Sequence, residues 1–442
     1  RYLLLEDIID DDPSALLDKI EQHGRHVAIT TPYLAFDAPS PFWDKPAFKQ
    51  HLRIFDLDDI EALIGPRGRI HNLYHQKAIG YNGWIFADYR PGEKTTGHVT
   101  ILAPGSPEAW SPITFEREGL GGSETAVIKL GEGFAKLGKQ VSVVSRIADE
   151  GYFDGVRYRD QDRYVPQIKS DLLIAWRAPE LVDDPVNASQ VVLWMHDRDV
   201  GDRLTPDRAA KFTNIIVLTE WHKQFMLQRY PFLDPQKLVI MQNGIDLSLF
   251  NPNGIVRNPK KVIYSSSPDR GLDTILRDIW PKVLEAVPDA ELHIYYGWNN
   301  FDKFAHMFPT LAEMKQNIMK YLSQTTRVIQ HGRISQRELA KEMMSAGIWL
   351  YPTEWPETYC ITAVEAQLAG LIPITNDRSA LAEVVRSGII LAQDADPQDY
   401  VTSTIAMMRE SGTEKDREEI KRKAPARSWD EMAVEWAARW LE

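Results

Sequence analysis

Two carboxylates, Glu357 and Glu365, stand eight positions apart in the stretch PTEWPETYCITAVEAQLAG. Pro352 and Pro356 keep the approach extended, because a residue before proline is pushed out of the helical region. A helix is expected to begin near Thr358–Thr362, run through Ala369 and end at Gly370. Glu357 is expected at its mouth and Glu365 inside it, on a similar side. Eight residues of helix rise about 12 Å, which matches the reach from a sugar across a diphosphate to a ribose. Two carboxylates so placed can accept hydrogen bonds from hydroxyls at both ends of a nucleotide-sugar. The backbone N–H groups of Tyr359, Cys360 and Ile361 would face the phosphates between them. By spacing alone, two glutamates on a helix are solvated surface residues. Position argues otherwise: the helix lies between two buried-strand patterns, IWLYP and LIPIT, so its N-terminus falls at the ligand-binding edge of a sheet.

Three further segments carry residues of the right kind. In GLGGSETAV (119–127), Gly121 and Gly122 would let backbone N–H groups approach an anion, and Ser123 is expected to cap the following helix. The pattern is neither of the common phosphate-binding glycine motifs, and a tight loop is its plain alternative. In SSSPDRGLD (265–273), Arg270 precedes a glycine at a helix start, where a guanidinium can grip a diphosphate with two N–H donors. His196 ends the strand pattern QVVLWMH. A histidine at that edge can touch a sugar or an acceptor, although a lone histidine is more often structural.

The elements that must hold these residues follow from the apolar pattern. Strands are expected at 98–105, 140–145, 171–176, 190–196, 214–219 and 237–242, with a helix over Ser123–Leu137 and Gly138 as its C-cap. A second set is expected at 261–266, 291–297, 327–332, 347–352, 371–375 and 388–392. Near-continuous apolar runs suit parallel sheets covered on both faces. Strand–helix alternation in two blocks implies two doubly wound α/β domains facing a cleft. The boundaries expected are 1–95 for an N-terminal extension, 96–250 for an acceptor-side domain and 251–427 for a donor domain. The turn-rich NGIDLSLFNPNG (243–254) serves as the linker, and a C-terminal helix over about 428–442 would pack back on the first domain.

The bulk properties limit the rest. The chain has 442 residues, 43% of them hydrophobic and 26% charged, with a net charge of −12. That balance disfavours a broad nucleic-acid surface. The single cysteine, Cys360, excludes an internal disulfide and a four-cysteine zinc site. No apolar run is long enough to span a bilayer, so the default location is the cytoplasm, and peripheral membrane contact has no support.

In this order, GLGGSE, His196, NGID, DRG and the Glu357/Glu365 pair with its EAQLAGLIPI continuation resemble the retaining glycosyltransferases of family 4. The resemblance covers about 97–442. It implies the GT-B fold and sugar transfer from a nucleotide-diphosphate sugar (UDP- or GDP-linked), with retention, no metal and no other cofactor. It further implies that Glu365 holds the ribose and that Glu357 holds the transferred sugar near the reacting carbon. Amides at Tyr359–Ile361 would bind sugar and phosphate. Gly121 and Gly122 would approach the phosphate, His196 would face sugar and acceptor, and the base would lie near Arg333 and Ile334. The family often carries an Arg and a Lys for the diphosphate. Here serines (Ser265, Ser266) stand at the earlier position and Arg270 at the later one. The acceptor is unidentified: a glycan, a lipid-linked sugar or another hydroxyl. The rival readings are a nucleotide-sugar epimerase, a phosphorylase, or a non-catalytic module keeping the fold. Residues 1–95 resemble the C-terminal half of a class I S-adenosylmethionine-dependent methyltransferase, on the strand HVAITTPY and the late hairpin-like pair. The early glycine-rich loop of such domains is absent, which implies no methyl transfer by this chain.

Overall fold

The computed structural model describes residues 2–4, 17–18, 27–34, 57–77, 82–106, 108–164, 169–298, 301–302, 309–410 and 414–442. Its strands are β1 (Tyr2–Leu4), β2 (Val27–Leu34), β3 (Gly68–Lys77), β4 (Asn82–Pro91), β5 (His98–Ala103), β6 (Gln140–Ser145), β7 (Gly151–Phe153), β8 (Val156–Asp160), β9 (Ser170–Trp176), β10 (Ala188–Trp194), β11 (Asn214–Val217) and β12 (Leu238–Ile240) in a first sheet. A second sheet holds β13 (Asn258–Tyr264), β14 (Glu291–Tyr295), β15 (Val328–Gly332), β16 (Ala346–Tyr351), β17 (Ile372–Asn376) and β18 (Ile389–Leu391).

The second sheet is wholly parallel, in the order β15-β14-β13-β16-β17-β18. The order in which strands are added reverses between β13 and β16, so the connections after those two strands diverge and leave a crevice at their carboxyl ends. The loop after β13 carries Ser265, Ser266 and Arg270; the loop after β16 carries Glu357. In the first sheet the parallel run β8-β6-β5-β9-β10-β11-β12 reverses between β5 and β9. The glycine loop follows β5, and Arg177 follows β9.

The predicted strands are all present, within a few residues at their ends. What the apolar pattern missed is the edge. β7 pairs antiparallel with both β8 and β3, and β3 with β4, so the N-terminal segment continues the first sheet edge to edge. Gly151, at φ +144, makes this join: a Cβ there would lie 2.1 Å from the Leu73 carbonyl oxygen. β4 then pairs antiparallel with β2, and β2 parallel with β1. Short strands such as GYF and VRYRD, half polar, give no near-continuous apolar signal.

Four helices matter below: α1 (Leu57–Ile64), α2 (Gly122–Lys136), α3 (Ile361–Leu368) and α4 (Trp429–Trp440). Helix α4 returns to the first sheet. Trp436 is buried there, with ring centroids 5.3 Å from Trp194 and 4.9 Å from Trp440. Gly244 in the linker lies flush against Trp429, where a Cβ would meet its ring at 2.7 Å.

Candidate functional site

Helix α3 starts within the range its sequence suggests, near the end of that range. Cys360 is its N-cap, with φ 72 and ψ 78, and Ile361 is its first residue. The left-handed backbone at Cys360 turns the chain sharply from the loop into the helix. Glu357 therefore lies in the loop, and the pair is not spanned by continuous helix. The helix ends as expected, with Ala369 at the C-cap and Gly370 at φ +73. The first amides of α3 have no acceptor within the helix and carry the positive end of its dipole. A second correction concerns α2. Its N-cap is Gly121, without a side-chain cap, and Ser123 lies in the first turn, donating to Glu124 Oε2 at 3.0 Å.

Both carboxylates are buried, each 6% exposed, and each is held. Tyr351 Oη donates to Glu357 Oε1 at 2.6 Å, and Arg270 Nη1 donates to the same oxygen at 2.8 Å. Gln336 Nε2 donates to Glu365 Oε1 at 3.0 Å. Burial pushes Glu365 up to about 7, against the pull of the Gln336 hydrogen bond. Glu357 thus has a full positive charge for a partner, whereas Glu365 has only an amide. Arg270, expected to serve a diphosphate, is the residue that joins the β13 loop to Glu357 across the crevice. Its Nε is buried without a partner among the described residues, as is Ser265 Oγ. Ser266 Oγ lies 3.2 Å from Tyr351 Oη.

The two sheets meet at this place. Thr358 Oγ1 donates to the His196 carbonyl at 2.8 Å, and Thr219 Oγ1 donates to the Thr358 carbonyl at 3.1 Å. Glu383 accepts from the Glu220 and Trp221 amides at 3.0 and 2.6 Å. Arg333 Nη1 donates to Glu108 at 2.8 Å, and Gly119 packs on the Ile334 carbonyl. Gly122 lies against Ile361, where a Cβ would stand 3.3 Å from its Cδ1. His196 packs on Trp194 and Trp176, its Nε2 buried without a partner among the described residues. Burial, then the Arg177 charge, holds its imidazole well below the usual range, so it is neutral near pH 7. Tyr359 is buried, so its contribution toward the crevice is backbone only.

His196, Gly121, Gly122, Arg333, Ile334 and Glu357–Ile361 lie at this junction, Ser265, Ser266 and Arg270 lie on the β13 loop beside it, and Glu365 lies inside α3. Sequence reasoning did not find Tyr351, Gln336, Thr358, Arg177 and Trp355. Arg177 holds Asp197 through two bonds of 2.6 Å beside His196. Backbone strain marks the same edge. Six described non-glycine residues have positive φ, and four of them (Arg177, Tyr296, Cys360 and Ser379) follow strands that end here. No group of three or more potential metal-ligating side chains occurs among the described residues, nor does any described helix have the length and apolarity to cross a membrane.

Residues 257–427 match the family model "Glycosyl transferases group 1". The phosphatidyl-myo-inositol mannosyltransferase of Mycobacterium tuberculosis is 23% identical over 334 residues, covering 71% of this chain and 78% of that protein. The chain is a glycosyltransferase. Among solved structures, the sucrose-phosphate synthase of Thermosynechococcus elongatus aligns at a TM-score of 0.58 and 16% identity, over 78% of this chain and 98% of the other. The Anabaena protein HepE, solved with UDP and glucose, aligns at 0.54 and 12%, over 78% and 99%. The glycosyltransferase thus has the GT-B fold, two mostly parallel α/β sheets facing one cleft, and its family match spans the second sheet with both carboxylates.

Proposed function

We propose that this glycosyltransferase takes its sugar from a UDP- or GDP-sugar bound at the entry of α3 and works by the retaining, metal-independent chemistry of family 4. One observation carries the reading: Arg270 on the loop after β13 meets Glu357 on the loop after β16, just ahead of the N-terminus of α3, the helix that carries Glu365. Glu365 takes the ribose hydroxyls, and Glu357 takes hydroxyls of the transferred sugar. Arg270, the serine hydroxyls and the positive end of α3 stabilise the charge that develops on the leaving diphosphate. The base lies beside Arg333 and Ile334. His196, neutral and at the edge of β10, contacts sugar or acceptor as a hydrogen-bonding group. The acceptor hydroxyl attacks the anomeric carbon on the face the diphosphate leaves. The C–O bond to the phosphate breaks with its electron pair going to that oxygen, which then takes the acceptor's proton.

The domains of this reading are 96–250 on the acceptor side and 251–427 on the donor side, with 1–95 as an extension derived from a class I methyltransferase. The antiparallel pair β3/β4 lying against β2 supports that derivation. The acceptor is a glycan, a lipid-linked sugar or another hydroxyl, and the phosphatidyl-myo-inositol mannosyltransferase relative supports one carried on a lipid. Incubation with UDP- and GDP-sugars, followed by product analysis, tests the reading. Slow release of free sugar with the anomeric configuration retained is expected without acceptor. Epimerised nucleotide-sugar, or phosphorolysis on adding phosphate, would overturn it.

A further inference from the structure

Trp355 is 45% exposed, while Trp110, Trp176, Trp194, Trp280, Trp349 and Trp436 are fully buried. An exposed indole is usually mobile, but this one is built in. Pro356 follows it, and the Trp355 backbone N–H donates to Thr353 Oγ1 at 3.0 Å. Thr353 is itself buried, with its carbonyl held by Asn376 Nδ2 at 2.8 Å. The Arg270 guanidinium lies over the indole ring, 5.0 Å from its centroid. The loop that carries Arg270 is pinned to the same segment. Gly271, at φ +103, packs so closely that a Cβ would lie 2.3 Å from the Pro352 carbonyl oxygen. Backbone contact, ring and carboxylate together fix the one cation that the segment Ser265–Gly271 contains.

We propose that Trp355 is a positioning residue, whose ring face holds Arg270 where the leaving diphosphate must lie. The inference rests on the donor reading above. A loop with a single cation cannot spread the diphosphate charge over alternative partners, so the aim of that cation matters. Glu357 engages Nη1 of the guanidinium, and the buried Nε has no partner among the described residues. Without the ring, the guanidinium can rotate away from the crevice toward water.

Binding of UDP, GDP, UMP and GMP to the whole chain by calorimetry tests this, using Trp355→Ala, Trp355→Phe, Arg270→Ala and the double variant Trp355→Ala/Arg270→Ala. Trp355→Ala is expected to weaken the preferred diphosphate about two- to tenfold, the range of a cation–π contact. The monophosphate should change less, Trp355→Phe should restore most of the loss, and the double variant should bind no worse than Arg270→Ala. Additive losses would overturn the positioning role, as would a loss confined to the intact nucleotide-sugar with diphosphate binding unchanged. If the unaltered chain binds neither diphosphate, the donor reading fails and takes the inference with it.

Discussion

Glu365→Gln should make the enzyme more stable at alkaline pH and less active. The carboxyl sits in a buried position with a single amide donor and no cation. Its ordinary value of 4.5 is therefore raised to about 7 by burial. Below about pH 4.5 the group is protonated in both the folded and the unfolded chain and makes no difference to stability. Between 4.5 and 7 the unfolded chain releases its proton while the folded chain keeps it, so stability falls with rising pH. Above about 7 the full burden is present, roughly 3 kcal/mol at 1.36 kcal/mol for each pH unit. A glutamine has nearly the same shape, can still accept from Gln336 and carries no charge. Denaturant unfolding at pH 8 should show the variant more stable by roughly 1–3 kcal/mol, with the difference vanishing at pH 4.5. Donor kcat/KM of the unaltered enzyme should rise with pH through about 7, as Glu365 becomes a stronger acceptor for ribose hydroxyls, and the variant should lose that limb. Equal stability changes at both pH values, or destabilisation at pH 8, would refute the assignment of the buried charge.

Other perturbations follow from the same geometry. Glu357→Gln removes the anionic partner of Arg270; on the proposed donor reading kcat should fall by at least about 100-fold, while calorimetry should find nucleoside diphosphate bound as tightly as before or tighter. Glu383→Ala deprives the Glu220 and Trp221 amides of an acceptor supplied from the other sheet, at a cost of about 1 kcal/mol. Small-angle scattering should then report a larger radius of gyration, and an unchanged value would dismiss the contact as a brace of the closed cleft. Gly133→Val forces a side chain toward the Ala433 Cβ, only 2.7 Å from the Cβ position of residue 133. Destabilisation by about 1–3 kcal/mol and increased proteolysis of α4 are expected; resistance equal to the unaltered chain would contradict the packing.

Much of this was readable because buried parallel strands announce themselves. KVIYSS, GIWLYP and LIPIT could be placed from apolar runs alone; that the first two pair, which puts Arg270 and Glu357 on adjacent loops, is seen only in the strand order of the sheet. The bond between those two residues was not readable. They are separated by 87 positions, and no local pattern says that a cation will meet a carboxylate rather than only a phosphate. The start of α3 falls where its sequence puts it, but the turn into it is made by a left-handed Cys360, a conformation its residue type gives no warning of. Residue preference favours Ser123 as the cap, but the backbone places Gly121 there. The join between β3 and β7 escaped because edge pairing depends on a close approach at Gly151 and not on apolar periodicity. The stretches 35–56, 299–300 and 303–308 lie outside the described residues.

The central claim is that the crevice bounded by Glu357 and Glu365 is a nucleotide-sugar site. Thermal unfolding of the enzyme with a panel of nucleotide-sugars, repeated on Glu365→Ala, tests it most directly. One UDP- or GDP-sugar at 100 times its dissociation constant should stabilise the enzyme by about 2.7 kcal/mol and leave the variant almost unmoved at that concentration. Equal stabilisation of both proteins, or none by any donor of the panel, would contradict it.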